Sequence, residues 1–508
     1  MKILNIIHYT FILLLACSSG YAQDSISFYQ KLKSQYDAER DFKTNIYYNP
    51  AYMLDYGSFS SSELSVNYSI QKDKVYRLQN GSKHTEFNIA TNSFQKLNSN
   101  QALWGSASYQ NKKMKDIKFN ENLDYERVAP YISSDSVGGN IDAENYHFLG
   151  GYSHKLNKVT LGAQASYNAQ LGSRSRDPRL RNTTSELNVK IGINYAFNKK
   201  LDIALFVEGE KYLQNNQIRF ASKLGQPLIF QMTGLGYYNN LFSGGTSSLS
   251  TQNEEYLYKI GGQLIHNKGK DFYILAQLGQ AEQTKSYNGT TSRYYDIADL
   301  NKNYFEIEAA KFFQFHQNRV GFKINYLSNQ LSGKEYGYTN NTQLLEKIYK
   351  RLSYKKDESY TSFSLIFTMN KDQFNLSVNP YYRYHQVKEQ RMYPFSGQKF
   401  DYSIVGLNLD YKQPIKDNQL LTLRPFVEFK SVSSSKNALT SSSIATINTW
   451  MKHDYAYLAS DIQSIGINAR YDIQLEKIPA LFFEAGYSQI KIQSNNNTFS
   501  TVSVGITF

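Results

Sequence analysis

The sequence has little cysteine, little proline and no long apolar run after its first residues, and each shortage excludes a class of structure. Cys17 is the only cysteine among 508 residues, so we expect neither a disulfide framework nor a thiolate metal site. Nine prolines and no low-complexity stretch leave no obvious linker between soluble domains. After the first residues there is no run of about 20 apolar residues, which excludes a spanning helix.

Aromatic side chains are abundant. The 43 tyrosines and 30 phenylalanines bring the aromatic share to 15%, while charged residues reach only 19%. This composition disfavours disorder and is typical of a membrane barrel, which has an apolar outer band, a polar lumen and aromatic girdles. The net charge of +13 favours lipopolysaccharide phosphates over nucleic acid as anionic partners, because an exported protein meets little nucleic acid; the alternative is a generally basic surface with no specific partner.

Residues 1–22 are predicted to be a signal peptide. Lys2 provides the positive start, Ile3–Ala16 the apolar run, and residues 20–22 a small-x-small cleavage site. We expect cleavage after Ala22 and export to the outer membrane. The alternative is lipidation of Cys17, because residues 14–17 resemble a lipoprotein processing site.

Residues 23–59 form a separate N-terminal segment that we expect in the periplasm or in the lumen. Phe28, Leu32 and Tyr36 recur every four residues, which predicts one amphipathic helix through about Phe42. No barrel-like alternation occurs here, so this segment precedes the wall.

The tripeptide Asn49-Pro50-Ala51 lies near the end of that segment. It resembles the hatch region of fatty-acid-transport-type outer-membrane channels. Such a resemblance implies that the N-terminal segment serves as a hatch. The alternative is an ordinary Asn-Pro turn.

Residues 60–508 show the alternation of barrel strands. In Glu186–Phe197, apolar side chains occupy odd positions and mostly polar ones even positions, as in strands with one lipid face and one lumen face. Short polar connections alternate with long ones such as Lys112–Ala143, Gly172–Thr183 and Ser431–Asp454. The predicted fold is therefore all-β: a transmembrane antiparallel barrel of about 18 strands, within a range of 16 to 20.

The chain ends on an amphipathic strand. Val504, Ile506 and Phe508 share one face, and this pattern resembles the C-terminal signal recognised by the barrel assembly machinery. A closed barrel would pair this strand with the first one, near Ser60, and so remove an exposed edge. Pro380 and Pro425 also lie within predicted strands, so each must coincide with a bulge or a missing ladder bond.

Charges of both signs lie on the predicted lumen faces. Mixed signs favour cross-strand pairs that narrow the lumen, either as a structural polar network or as a constriction that orients solutes. The candidates are Lys190, Lys323, Arg383, Arg424, Arg470, Glu208, Glu306, Glu308, Asp410 and Glu428.

Four arginines cluster in the predicted long connection Gly172–Thr183. We expect Arg174, Arg176, Arg179 and Arg181 to extend from a compact loop around Asp177-Pro178. Guanidinium groups suit phosphates and carboxylates, so the cluster could bind lipopolysaccharide phosphate or an anionic substrate, or line a constriction. The alternative is a solvated loop tip.

Four stretches are similar to an uncharacterised Bacteroidota family of outer-membrane β-barrels. The resemblance implies an outer-membrane location and a signal ending near Ala-Gln, and it implies no catalytic residues. The stretches are Gly105–Asn111, Ala129–Asp135, Glu144–Tyr152 and residues 176–179 with Asn182.

An enzyme is not expected. The eight histidines are scattered, and none lies at metal-ligand spacing from another. No nucleophile elbow, phosphate-binding loop or zinc-protease motif occurs. We therefore predict no catalytic residues, no metal and no cofactor.

Two functions fit a large barrel. The first is a channel or uptake protein for a small solute, since 16–18 strands can enclose an aqueous lumen. The second is a non-conducting scaffold whose long, Tyr-rich loops, such as Asn215–Thr251, bind another protein or a surface glycan.

Overall fold

Eighteen antiparallel strands form one barrel wall. The computed structural model describes residues 27–222, 226–244, 248–288, 294–339, 345–371, 373–475 and 478–508. The predicted signal peptide and Cys17 lie outside the described residues. The wall strands are β1 (Ser61–Lys72), β2 (Lys83–Asn98), β3 (Gln101–Ile117), β5 (Gly139–Leu156), β6 (Val159–Ser173), β7 (Arg179–Ala196), β8 (Leu201–Arg219), β11 (Ser248–His266), β12 (Phe272–Asn288), β13 (Tyr294–Phe315), β14 (Asn318–Tyr338), β15 (Lys347–Asn370), β16 (Asn375–Arg391), β17 (Ser396–Lys416), β18 (Gln419–Ala438), β19 (Ile462–Leu475), β20 (Ile478–Ile492) and β21 (Asn495–Thr507).

Three short strands and the helices lie apart from this wall. β4 (Ser133–Ser134), β9 (Phe230–Gly234) and β10 (Tyr237–Tyr238) form a small sheet in the order β10-β9-β4. None of the helices among the described residues is long and apolar enough to span a membrane. The helices are α1 (Phe28–Gln35), α2 (Ala38–Phe42), α3 (Tyr125–Val128) and α4 (Ala445–Leu458), with 3-10 helices at Thr44–Tyr48, Pro50–Asp55 and Asn267–Gly269.

The last strand closes the barrel on the first. Val504 lies opposite Val66 and Ile506 opposite Leu64. Phe508 exchanges two backbone hydrogen bonds with Ser62, at 2.8 and 3.4 Å. The predicted closed antiparallel barrel of about 18 strands is confirmed, and the terminal amphipathic strand is therefore not an open edge.

The two faces of each strand differ as the alternation predicts. On β7 the outward side chains of Leu187 and Ile191 are 50% and 57% exposed, whereas the inward Asn188 and Asn194 are buried. Apolar exposure of this kind continues around the wall. An outward apolar surface with a polar interior is the inverse of a soluble barrel.

The wall strands extend further than the sequence predicts. The predicted long connection Gly172–Thr183 is a short turn, because β6 ends at Ser173 and β7 begins at Arg179. The ladder continues into polar sequence because backbone groups pair whatever side chains they carry. The prediction that Arg179 and Arg181 extend from a loop is therefore wrong, since both lie on a strand.

Both strand prolines coincide with gaps in a ladder, which confirms that prediction. The β15–β16 pairing is interrupted beside Pro380, and the β17–β18 pairing beside Pro425. Proline has no amide hydrogen to donate to a ladder. Each proline still lies in register with its other neighbour, Leu407 and Ile467 respectively.

The predicted N-terminal helix is interrupted, so the expectation of one helix is wrong. The chain leaves helical geometry at Tyr36, and α2 begins after Asp37. The Asp37 side chain accepts a hydrogen bond from the Glu39 amide at 3.0 Å. An aspartate in this capping position favours a new helix start over continuation.

Candidate functional site

Residues 27–59, which we name the plug, cross the whole lumen. The Tyr36 hydroxyl donates to Glu63 on β1, and the Asn45 amide donates to Glu308 on β13 at 3.0 Å. β13 is the tenth of the eighteen wall strands counted from β1. Strands one and ten of an eighteen-strand ring are opposite each other, so the plug spans the full diameter.

Apolar side chains fix the plug to one side of the wall. Phe42, Ile46 and Tyr52 are almost fully buried in a cluster with residues of β8, β11, β12, β13 and β15. The Tyr52 hydroxyl also donates to Asp202 at 2.5 Å. The plug is thus a packed element of the barrel, with both apolar and polar contacts to the wall. The wall residues of the cluster are Ala204, Ile265, Tyr273, Ala310, Phe312 and Ile366.

The Asn49-Pro50-Ala51 turn docks on two glycines of the wall. Asn49 is buried; its Oδ1 accepts from the Ala51 amide at 2.9 Å, and its Nδ2 donates to the Leu205 carbonyl at 3.2 Å. Gly162 and Gly192 lie opposite each other on β6 and β7. A Cβ at Gly192 would overlap Asn49, and one at Gly162 would overlap Pro50. The tripeptide is both a turn and a docking element.

Gly192→Val is expected to lift the Asn49 turn from the wall, because the added side chain occupies the space of the Asn49 amide. Overpacking of this kind costs about 1–3 kcal/mol, so amide exchange of residues 44–56 should accelerate roughly tenfold. Hydrogen exchange read by mass spectrometry measures this. Gly209→Val is the matched control, because an added Cβ there meets no atom within 4 Å. Equal exchange in both variants would contradict the docking role.

All ten lumen candidates lie on the inner face, and seven of them contact the plug. Glu208 accepts from the Tyr48 hydroxyl, and Lys323 donates to the Phe42 carbonyl. The Lys190 ammonium lies 3.5 Å from the centre of the Tyr48 ring. The others that contact the plug are Glu306 and Glu308, through Asn45, and Arg424 and Arg470, over the Tyr36 ring.

The remaining three candidates pair within the wall. Asp410 accepts from Arg424 at 2.9 Å. Glu428 accepts from the Tyr381 hydroxyl at 2.5 Å, and Arg383 lies near the same Tyr381 ring. The candidates therefore divide between a plug-binding surface and cross-strand pairs.

Three connections at the other end fold into the lumen, and we name them the cap: residues 118–138, residues 226–244 and helix α4. β4 pairs with β9, which joins the first two connections. Phe119 stacks on Trp450 of α4 with ring centres 4.6 Å apart. These contacts make the cap one packed unit. Its buried cluster comprises Phe119, Val128, Ile132, Phe230, Met232, Ile447 and Trp450, together with Tyr212 of the wall.

Arg127 fixes the cap to one side of the wall. Its guanidinium donates to Glu186 at 2.6 Å, to Glu255 at 2.7 Å and to Glu210, on three consecutive strands. Lys302 of β13 donates to Glu255 and to the Arg127 carbonyl. Arg127 and Lys302 thus supply two positive charges to three carboxylates, of which Glu210 and Glu255 are the more buried.

A single wall segment connects plug and cap. Glu208 accepts from Tyr48 of the plug, and Asn188 donates to Glu208 at 2.6 Å and to Glu210 at 2.9 Å. Glu210 in turn accepts from Arg127 of the cap. The two elements that fill the lumen therefore share one hydrogen-bonded chain of five side chains.

A polar cavity of about 670 Å³ lies beside the cap, between it and part of the wall. It is lined by wall residues from β1, β2, β3, β5, β6, β7, β20 and β21, by the connection between β1 and β2, and by cap residues that include Asn120, Tyr125 and Tyr457. None of the described plug residues lines the cavity. Its polar lining includes Gln71, His84, Lys112, Asn168, Gln170 and Glu126.

Arg174 is not a free anion ligand, contrary to the prediction. It is buried and donates to Glu121 of the cap at 2.6 Å, with Asp135 at 3.6 Å. The other three arginines are exposed, and Arg179 pairs with Asp177 at 3.0 Å. A buried cation needs a partner, and the cap supplies it from a part of the sequence 53 residues away.

The surroundings of the Glu121 carboxyl disfavour its charged form. Burial and the neighbouring Asp135 carboxylate raise its pKa well above the ordinary value, and Arg174 offsets this only in part. Glu121 Oε2 and Asp135 Oδ2 have no hydrogen-bond partner among the described residues. Two carboxyl groups with one guanidinium favour one retained proton.

Glu121→Gln is expected to remove a pH dependence from the cap. A raised folded pKa contributes stability below the ordinary carboxyl pKa, and this stability is lost as pH rises through the folded pKa. Protection of residues 118–138 from hydrogen exchange, corrected for intrinsic rates, should fall with rising pH in the unmodified chain. It should stay level in the variant. Parallel pH profiles for both chains would contradict this assignment.

The cap and its attachment through Arg127 are not predicted from the sequence. Arg127, Glu210, Glu255 and Lys302 were not among the predicted site residues. A signal was present, because residues 119–132 carry many aromatic and aliphatic side chains for a solvated loop. No group of three or more residues suited to hold a metal ion occurs in the described part of the chain.

The chain belongs to the family described as "Family of unknown function (DUF6850)", whose model matches residues 50–508. No curated protein matches it. Among solved structures it is similar to a mutant of the ferric enterobactin receptor from Pseudomonas aeruginosa, with 9% identity, 89% of this chain and 81% of that chain covered, and a TM-score of 0.39. It is also similar to the ferric preacinetobactin receptor from Acinetobacter baumannii, with 9% identity, 88% of this chain and 80% of that chain covered, and a TM-score of 0.40. Likeness at this level indicates no substrate.

Proposed function

We propose that this chain is an outer-membrane β-barrel that takes up a small solute through a lumen gated by the plug and the cap. The signal peptide would direct export, and the barrel assembly machinery would insert the strands. The apolar outer face would contact lipid and lipopolysaccharide. Both ends of the wall, Ser61 and Thr507, lie at the end with short turns, which would face the periplasm.

The observation that carries the proposal is the plug crossing the lumen below a polar cavity. A scaffold barrel needs no cavity of about 670 Å³ beside the cap within its lumen. Such a volume suits a small solute. The solute would enter the cavity from outside and reach the periplasm when the plug moves.

Unsatisfied polar atoms at the contact between cap and wall support the proposal that the cap can separate from the wall. Buried polar atoms on both sides lack hydrogen bonds among the described residues, including Gln214 Nε2, Asn216 Oδ1 and Asn253 Nδ2 of the wall and Gln231 Nε2 of the cap. An unsatisfied buried polar group costs about 1–3 kcal/mol. Opening would hydrate these atoms, which lowers the free energy needed to move the cap.

The test is solute flux in proteoliposomes. Barrels that lack residues 27–56 should release small sugars, and intact barrels should retain them. Failure of both to release sugars would overturn the proposal. The proposed role is transport and not catalysis.

A second candidate is a non-conducting barrel that binds a surface protein or glycan. Arg351 lies between the exposed rings of Tyr349 and Tyr393, 5.6 and 4.5 Å from their centres. Exposed Tyr and Arg side chains are frequent anchors of interfaces. Cross-linking in cells from position 351 should then capture one partner, and recovery as a lone monomer would contradict this candidate.

A further inference from the structure

Three arginines share the outward face of the wall near the cap end. Arg179 on β7 lies directly opposite Arg219 on β8, and Arg181 lies opposite Gln217. The residue between the first two on β7, Leu180, is buried inside the barrel. Because side chains alternate along a strand, the three guanidinium groups emerge on the outer side. All three are exposed.

These arginines line a concave pocket of about 290 Å³. Gln217, Phe220 and Ala221 complete its lining together with Leu180. Asp177 connects the two sides of the pocket, because its carboxylate accepts hydrogen bonds from the amides of Ala221 at 2.9 Å and Ser222 at 2.7 Å. These two hydrogen bonds lower the pKa of Asp177, so it stays ionised. The pocket is therefore formed by two strand ends fixed to each other.

The charge in this pocket is unbalanced. Like charges directly opposite in a cross-strand pair are destabilising, and Arg179 faces Arg219. Asp177 pairs with Arg179 at 3.0 Å, whereas neither Arg181 nor Arg219 has a carboxylate within 4 Å among the described residues. A bound anion of charge near two would balance the remaining guanidinium groups. Their planar donors suit phosphate oxygens bidentately.

The position of the pocket identifies the source of that anion. On the adjacent strand β6, the last exposed apolar side chain toward this end is Leu171, which pairs with Thr183, two residues from Arg181. Two strand residues cover about 7 Å, or about 5 Å along the barrel axis at a tilt of roughly 40°. The arginines thus lie beyond the apolar band, on the lipid-facing side and at the level of lipid headgroups.

We propose that Arg179, Arg181 and Arg219 bind the phosphate groups of a phosphorylated glycolipid headgroup, the lipid A portion of lipopolysaccharide. This assignment rests on the proposed outer-membrane location. It is separate from solute passage, because the pocket opens away from the lumen. The bound headgroup would neutralise the arginine cluster and anchor the extended ends of β7 and β8 to the outer leaflet.

The test uses the full chain in detergent with diphosphoryl lipid A as the probe and native mass spectrometry as the readout. The chain should retain diphosphoryl lipid A, and the Arg181→Gln/Arg219→Gln double variant should lose affinity by at least about tenfold. Arg176→Gln is the matched control, since Arg176 is exposed in the same connection but does not line the pocket. It should bind as the unmodified chain does.

Two results would overturn the assignment. Equal affinity of the double variant and the Arg176→Gln control would show that the pocket does not hold the lipid. Displacement of the lipid by millimolar inorganic phosphate would show a site for a free anion instead. Monophosphoryl lipid A should bind more weakly than the diphosphoryl form. Arginine-dependent lipid binding in a barrel that passes no sugar would refute transport and leave this site in place.

Discussion

A barrel that lacks residues 27–56 is expected to pass ions at least about tenfold better than the intact chain, because an eighteen-strand wall without its plug encloses a wide polar lumen. The plug contacts opposite sides of the wall, at Glu63 and Glu308. We expect the cap alone to leave the lumen open, because a cavity of about 670 Å³ lies beside it. A path then runs past the cap and through the space that the plug occupied.

The deletion also exposes charges that the plug now covers. Glu208, Lys323 and Arg470 lose their contacts with Tyr48, Phe42 and the Tyr36 ring. These groups become hydrated and line the open path. Circular dichroism should show unchanged strand content, because the wall closes through β1 and β21 without the plug. A folded, deleted barrel that still fails to conduct would contradict the proposed transport.

Arg127→Met is expected to release the cap. The substitution preserves the length of the side chain but leaves Glu186, Glu210 and Glu255 without their shared cation. Removing one partner of a buried ion pair costs about 3–5 kcal/mol. At 1.4 kcal/mol for each factor of ten, exchange of the amides in residues 118–138 should accelerate by roughly a hundredfold or more.

An exposed ion pair provides the matched control for this variant. Lys211 pairs with Glu254 at 3.0 Å on the outer face, and both side chains are at least 40% exposed. Exposed pairs contribute about 0–1 kcal/mol, so Lys211→Met should leave cap exchange almost unchanged. Similar effects of the two substitutions would show that Arg127 does not clamp the cap.

The barrel itself follows from local pattern. The alternation in Glu186–Phe197 assigns each side chain of β7 to a face, and Val504 and Ile506 predict the closing strand. Strand periodicity depends on neighbouring residues only, so the face of each side chain can be predicted from the sequence. The same reasoning locates the ladder gaps beside Pro380 and Pro425, since a missing amide hydrogen is a local property.

The site depends on contacts between distant parts of the chain, which periodicity does not encode. Glu208 and Lys323 are assigned correctly to the lumen face, yet nothing local shows that their partners are Tyr48 and Phe42. The sequence around Arg174 is typical of an exposed loop, yet in the structure Arg174 is buried and paired with Glu121 of the cap. The cap forms because β4 meets β9 across about 100 residues.

Single-channel recording in planar bilayers tests the central claim, that the plug docked on the wall keeps the lumen closed. The intact chain and the Gly209→Val control should stay closed at the applied voltage. The chain without residues 27–56 should conduct steadily, and Gly192→Val should show intermittent openings as its plug leaves the wall. Steady conductance of the intact chain, or identical closed traces from all four, would contradict the account.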